Sequence, residues 1–458
     1  MFNRLVRISR KLSPDLRQII SNVGWLSLEK VLSITINLTV GIYVIRYLGS
    51  VQFGQFSYCL SLVGMFEAIA KLGLDAIVLR TLVKEEESTT DILGTALILK
   101  LLGSLATWML IFGVTQAMKS DPQVNWMIMV IALGLILRPT EVIDFWFRSQ
   151  VRAKPVALVR SLKLLIGSAI KISFIALGYS LTAFVWLLLA EEILRALGTV
   201  LIYWRCSRLN PVPSLSLSRW TFNFARAKEM LQDSWPLILS GVMITIYMKI
   251  DQVMLGNMAS NEAVGNYAAA VKFSEVWYFF PMAICTSIFP SIIQAKQKSD
   301  RAYYAKLQQL YDLMAWLSLV IAVVMTFASG LLVQTILGTE YLAAGHILAL
   351  HIWAGPFVFL GVARSQWLMA ENLTRLSFAC TSLGMVANLA LNFWLIPAYG
   401  GSGAAIATVI SYGVVSHVAC LIYPRLSNTG WMLTKALFVP LRVRQNLIYL
   451  SQVKKIFS

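Results

Sequence analysis

The chain has 458 residues, 58% hydrophobic and only 13% charged, with a mean hydropathy of +0.70 and a formal net charge of +17. A soluble domain carries roughly 25% charged residues, so this chain cannot cover a water-facing surface and is expected to face lipid. Apolar runs of about 20 residues, without the short alternating strands of a spanning barrel, exclude that form and imply spanning helices.

In chain order, the first 24 residues are basic and lack the short apolar core and small-residue cleavage site of a removable signal peptide. Spanning helices are expected near 25–45, 55–75, 92–118, 124–146, 158–178 and 181–204. A second set is expected near 235–257, 266–294, 307–337, 345–369, 376–397 and 402–424. The longest connection, 205–234, carries PVPSLSLSRW and divides the sets. The resulting organisation is a basic cytoplasmic segment (1–24), a six-helix bundle (25–204), a cytoplasmic linker (205–234), a second six-helix bundle (235–424) and a basic cytoplasmic tail (425–458).

Charge fixes the orientation. The termini and every second loop hold 29 of the 39 Lys and Arg residues, whereas the alternate loops hold only Arg46 and Lys119. The positive-inside rule therefore places both termini in the cytoplasm, and the +17 reflects topology rather than nucleic-acid binding. Three matches suggest a repeat. Arg148-Ser149-Gln150 recurs as Arg364-Ser365-Gln366. Phe53-Gly54-Gln55-Phe56 is similar to Val264-Gly265-Asn266-Tyr267. Tyr179 and Tyr203-Trp204-Arg205 correspond to Tyr399 and Tyr423-Pro424-Arg425. Six helices per half give both halves one orientation, hence a parallel pseudo-two-fold repeat with a substrate cleft between the halves. The fold class is all-α integral membrane, with about 12 transmembrane helices.

No catalytic constellation, metal-ligand spacing or phosphate-cradling loop is present, so neither an enzyme nor a cofactor is expected. The five cysteines read as packing residues and His346, His351 and His417 as structural ones. Trp25, Trp126, Trp235 and Trp431 fall where interfacial anchors are expected. The informative residues are charges inside spans, each costing about 2.5–3.5 kcal/mol at a helix centre unless it faces protein or water. Helix one carries Glu29, Lys30, Ser33 and Asn37; helix two carries Glu67, Lys71 and Asp75. Helix seven carries Lys249 and Asp251, about 200° apart and so unable to form a simple mutual pair. Helix eight carries Lys272 and Glu275. Glu67–Lys71 and Arg138–Glu141 read as packing salt bridges.

LGLDAIVLRTLV (72–83), DQVMLG (251–256), VGNYAAAVKFSEVWYFFPMAICTSIFPSI (264–292) and NLALNFWLIPAYGGSGAAIATVISY (388–412) resemble the polysaccharide transporter family of Wzx-like O-antigen and oligosaccharide flippases. That superfamily also holds lipid II flippases and multidrug and toxin extrusion transporters. The resemblance covers about 20–425 and implies alternating access around a cleft lined by helices one, two, seven and eight. It implies a lipid-linked oligosaccharide, commonly on undecaprenyl pyrophosphate, moved from the cytoplasmic to the periplasmic leaflet of the bacterial inner membrane. Further partners would be membrane lipids and the polysaccharide polymerase and chain-length machinery, with no nucleic acid. Lys30, Lys249 and Lys272 are then the candidate headgroup cations, and Glu29, Asp251 and Glu275 the candidates for ion coupling or charge balance. A drug or cation antiporter of the same architecture is the competing reading. A membrane glycan polymerase or acyltransferase is disfavoured by the short outer loops and the missing acid/base set.

Overall fold

The computed structural model describes residues 14–85, 88–118, 121–209 and 220–442. The first basic residues, most of PVPSLSLSRW, Glu86, Glu87, Lys119 and the end of the basic tail lie outside the described residues. The described chain is α-helical, with no β-strand among the described residues. Helices run Pro14–Lys71, Leu74–Lys84, Thr89–Met118, Pro122–Ile136, Val142–Ser149, Ala153–Ala176 and Leu181–Leu209 (α1–α7). They continue as Phe224–Met258, Asn261–Glu275, Phe279–Lys298, Asp300–Leu337, Leu342–His351, Ala354–Ala370 and Thr374–Gly413 (α8–α14), and finally Ala419–Ile422 and Ser427–Leu437 (α15, α16). Each expected spanning segment is helical over most of its length. Six spans among the described residues are long and apolar enough to cross a bilayer, or seven if Thr339–His351 and Ala354–Ala370, bent by 47°, act as one. Among the remaining helices, α7 carries Glu191, Glu192 and Arg195.

Local chemistry explains the breaks. Gly49 interrupts α1 at φ 68° and Gly400 interrupts α14 at φ 54°, backbone conformations that cost glycine little. After Gly49 the helix restarts, and the Glu340 carboxylate accepts from Ser50 N (2.6 Å) and Ser50 Oγ (3.0 Å), capping the new N-terminus. Asp121, Ser260 and Ser299 cap α4, α9 and α11 by accepting from the backbone N–H two or three residues on.

The chain forms two compact units. One comprises the residues up to Leu48 with Cys59–Thr245; the other comprises Gly49–Tyr58 with the residues from Ile246 on. Helices α1 and α8 thus each contribute to both, which differs from bundles of 25–204 and 235–424. Apolar packing decides this. In the first unit Ala227 and Met230 of α8 are buried with Leu74, Trp146 and Tyr203. In the second, Gly54 lies on the carbonyl of Asn261, where a Cβ would approach to 1.7 Å. Gly265 lies reciprocally on the carbonyl of Ser50, where a Cβ would approach to 1.9 Å. Each glycine rests on the residue four before the other, the closeness that small residues permit between helices.

Within the second unit, Tyr303, Leu310, Met314, Phe359 and Trp367 form a core that also buries Met432, Leu433 and Ala436 of α16. Residues 427–437, expected as part of a basic tail, are therefore a packed amphipathic helix. Outward-facing Phe327 (85% exposed), Leu331 and Trp394 present an apolar surface suited to lipid.

Candidate functional site

The first unit holds its intramembrane charges in pairs. Lys71 bonds Glu67 at 2.7 Å, and Glu67 also bonds Arg138. Asp75 pairs with Lys100, Asp144 with Arg160 (2.8 Å), Glu191 with Lys171 (2.6 Å) and Glu192 with both Lys163 (2.7 Å) and Arg195 (2.8 Å). Glu141 lies 3.8 Å from Arg195, so the expected Arg138–Glu141 pair is replaced by Arg138–Glu67. The 3-10 turn Arg138–Glu141 rotates Glu141 toward α7. Arg160 and Lys163, within the helix expected near 158–178, sit on α6 inside this network. Two cavities of about 360 and 320 Å³ open along it, sharing Glu141, Asp144 and Arg160. Glu29, Ser33 and Asn37 of α1 line the second. Lys30 is solvent- or lipid-exposed on the same helix.

The second unit contains a different arrangement. Asp251 is 4% exposed. Its Oδ2 accepts from Tyr267 Oη (2.7 Å) and lies 2.7 Å from Thr408 Oγ1, and its Oδ1 accepts from Asn392 Nδ2 (2.5 Å). Thr408 Oγ1 also lies 2.9 Å from the Ala404 carbonyl, and Asn392 Nδ2 lies 3.1 Å from Asn388 Oδ1. All the donors are neutral, and no ion pair to Asp251 occurs among the described residues. A buried ionised carboxylate is costly without a countercharge, so this cage calls for a proton or a cation. The oxygens gathered here, two of the carboxylate and those of the Tyr267 and Thr408 hydroxyls, are of the kind a hard cation takes. Asn392 Oδ1 and Asn388 Nδ2 are buried without a partner among the described residues, so the amides have unused capacity there.

Lys249 is half-buried, two residues earlier on α8. Glu275 ends α9, which also carries half-buried Lys272 one turn before it. Tyr247 stacks obliquely on Tyr412, with ring centroids 4.9 Å apart. Lys249, Glu275 and Lys272 thus lie in the second unit with Asp251, and Glu29 and Lys30 in the first. His351 is buried, its Nδ1 3.0 Å from Ser274 Oγ, and its ring packs edge-on against Tyr267. Tyr267, Asn388, Asn392 and Thr408 escaped the sequence reading, although the first lies in 264–292 and the others in 388–412. The available signal was the i, i+4 spacing of Asn388 and Asn392 on an otherwise apolar helix.

Helices with lipid-suited faces and ionised groups held inside each unit define a multi-pass membrane transporter. Residues 19–296 match the polysaccharide biosynthesis protein family, more than half of the chain, and the chain belongs to that family. Residues 236–394 also match the MatE family. The chain is 23% identical over 411 residues to the probable low-salt glycan biosynthesis flippase Agl15 of Haloferax volcanii, covering 86% of this chain and 82% of that protein. In fold it is similar to an inward-facing multidrug resistance MATE family transporter of the MOP superfamily, with a TM-score of 0.66 and 14% identity over 92% of this chain and 99% of that one. It is also similar to the lipid II flippase MurJ in an inward closed conformation, with a TM-score of 0.65 and 13% identity over 96% and 98%.

Proposed function

We propose that the protein flips a lipid-linked oligosaccharide of the undecaprenyl-pyrophosphate type from the cytoplasmic to the periplasmic leaflet, for O-antigen or other surface polysaccharide assembly. Alternating access of twelve helices in two pseudo-two-fold-related bundles would carry it, in a bacterial inner membrane with both termini cytoplasmic. The reciprocal contact of Gly54 and Gly265, at the 211-residue spacing of one sequence repeat, supports that symmetry. The polysaccharide biosynthesis family match and the flippase name of its archaeal relative support the substrate class.

The observation that carries the mechanism is the opposite environment of two neighbours on α8. Lys249 is half-buried, whereas Asp251 is enclosed among oxygens. Lys249, with Lys272 and Lys30, supplies cations that replace the hydration of a pyrophosphate crossing the bilayer. Glu275 balances Lys249 between turnovers. Asp251 takes the coupling cation or proton, and Glu29 is the corresponding acid of the first half. The MatE match over 236–394 favours a drug or cation antiporter as a second reading. Asp251, 4% exposed and surrounded by neutral donors, is too enclosed to contact an organic cation.

Complementation separates the two. A strain lacking its own flippase, supplied with a panel of lipid-linked glycans, should regain surface polysaccharide without gaining drug tolerance. Raised tolerance with no glycan restored would overturn the proposal.

A further inference from the structure

Apart from Glu29, the residues lining the cavities of the first unit have no role in the reading above. The one that Glu29 lines, about 320 Å³, lies at the lower end of ligand-site volumes of about 300–1,000 Å³. Its lining includes five acids (Glu29, Glu141, Asp144, Glu191, Glu192) and five cations (Arg138, Arg160, Lys163, Lys171, Arg195), so its net formal charge is zero. Among the described residues Leu164 is the one apolar side chain that lines it, and no aromatic ring does. The tract runs inward along α6 from Arg160 to Lys171, eleven residues, or about 16 Å at 1.5 Å per residue. That is about half the thickness of a hydrocarbon core of about 30 Å.

A purely structural salt-bridge network closes on itself. Here ionised groups surround open volume inside the bilayer, and such a volume holds water. Each pair also uses only part of its capacity, because a carboxylate offers about four acceptor sites and an ammonium three donors. Glu29 has no ion-pair partner among the described residues, and Asn37 Nδ2 bonds only Ser33 Oγ, at 3.1 Å. An anion entering this space meets as many acids as cations. A lipophilic cation finds neither a net negative field nor a ring to stack on. A polyhydroxylated group matches it, since each hydroxyl both donates and accepts and can displace an ordered water without loss.

We propose that this tract is a saccharide subsite, which takes neutral or zwitterionic sugar residues of the substrate by hydroxyl hydrogen bonds to Glu29, Asn37 and the Lys163–Glu192 and Lys171–Glu191 pairs. The proposal rests on the glycan-flippase reading for its substrate, but not for its site. Asn37→Leu and Ser33→Ala probe it, because neither residue belongs to an ion pair and folding should survive both.

Two measurements decide the matter. In proteoliposomes, movement of undecaprenyl pyrophosphate bearing N-acetylglucosamine is compared with that of the bare carrier. Asn37→Leu should slow the glycosylated carrier about threefold to tenfold relative to the bare one, the loss implied by one neutral hydrogen bond. Equal slowing of both carriers, or of neither, overturns the subsite. Separately, calorimetry on purified protein with neutral, amino and uronic methyl glycosides should show saturable binding of the neutral one, weakened in both variants, and binding of the uronic or amino glycoside alone overturns the subsite. If no glycoside binds wild-type protein, the subsite falls even where the carrier is flipped. If glycosides bind but no carrier moves, the subsite stands and the flippase reading fails.

Discussion

Replacing Asp251 by Asn removes one charge and almost no volume. In the cage every near neighbour of the carboxylate can donate: Tyr267 Oη, Thr408 Oγ1 and Asn392 Nδ2. An amide nitrogen at the Oδ1 position would therefore face another donor. The two orphaned atoms are the remedy. If Asn392 flips, its unpartnered Oδ1 accepts from the new amide; if Asn388 flips with it, its unpartnered Nδ2 donates to Asn392. Thr408 and Tyr267 keep their bonds to the remaining oxygen. The hydrogen-bond count is preserved and a buried charge disappears, so Asp251→Asn should change stability by no more than about 1 kcal/mol. Asp251→Ala leaves the same donors without an acceptor. Thr408 can turn to Ala404 O at 2.9 Å and Asn392 to Asn388 Oδ1 at 3.1 Å. Tyr267 and the new void remain, a cost of about 2–4 kcal/mol. Thermal unfolding in detergent measures both. Transport in proteoliposomes under imposed sodium and proton gradients should show that Asp251→Asn, though stable, no longer responds to the driving ion. If it unfolds as readily as Asp251→Ala, the flip argument is wrong. If it is stable and its ion dependence is unchanged, Asp251 is not the coupling acid.

Lys249→Ala should abolish glycan export at normal protein levels while Lys249→Arg retains part of it, because Arg keeps the charge but changes its shape and hydration; surface polysaccharide beside membrane-inserted protein is the measurement. Gly265→Val should lower the melting temperature of detergent-purified protein through overpacking of at least about 2 kcal/mol, since its Cβ would overlap the Ser50 carbonyl at 1.9 Å; an unchanged melting temperature would contradict that contact. Glu371 is partly buried, which favours protonation, but hydrogen bonds from Lys296 (2.6 Å) and Tyr303 (2.8 Å) and the Lys296 charge outweigh this and hold its carboxyl below the ordinary glutamate value. Its contribution is thus fully present above the unfolded value of about 4.3 and is lost as pH falls through the lowered one. Because Lys296 is 39% exposed, the effect should stay within about 1 kcal/mol, and Glu371→Gln should flatten the acid limb of the melting-temperature profile. Reporter fusions at Asp121 and Ser260 should read periplasm and fusions after Arg425 cytoplasm; a cytoplasmic reading at Ser260 contradicts the charge-derived topology.

The membrane setting, the helical segments and the candidate charges were legible in the sequence because they depend on local quantities. These are the length of an apolar run, the sign of a loop and the cost of an ion in hydrocarbon. Gly54 and Gly265 could even be matched as repeat partners from their neighbours. What no local quantity contains is partnership. Arg364 reads as a cation at the end of the expected helix 345–369, yet it is 2% exposed and donates to the Val415 carbonyl. Arg138 has Glu141 nearby in sequence but bonds Glu67, 71 residues away. Asp251 looks like a neighbour's counterion, and 200° of helical rotation sends it instead to Asn392 and Thr408, 141 and 157 residues along the chain. Helix periodicity fixes the direction in which a side chain leaves its own helix. Which residue waits there is set by the packing of helices distant in sequence, and that packing alone turned Asp251 from a charge on an apolar run into the centre of an oxygen cage.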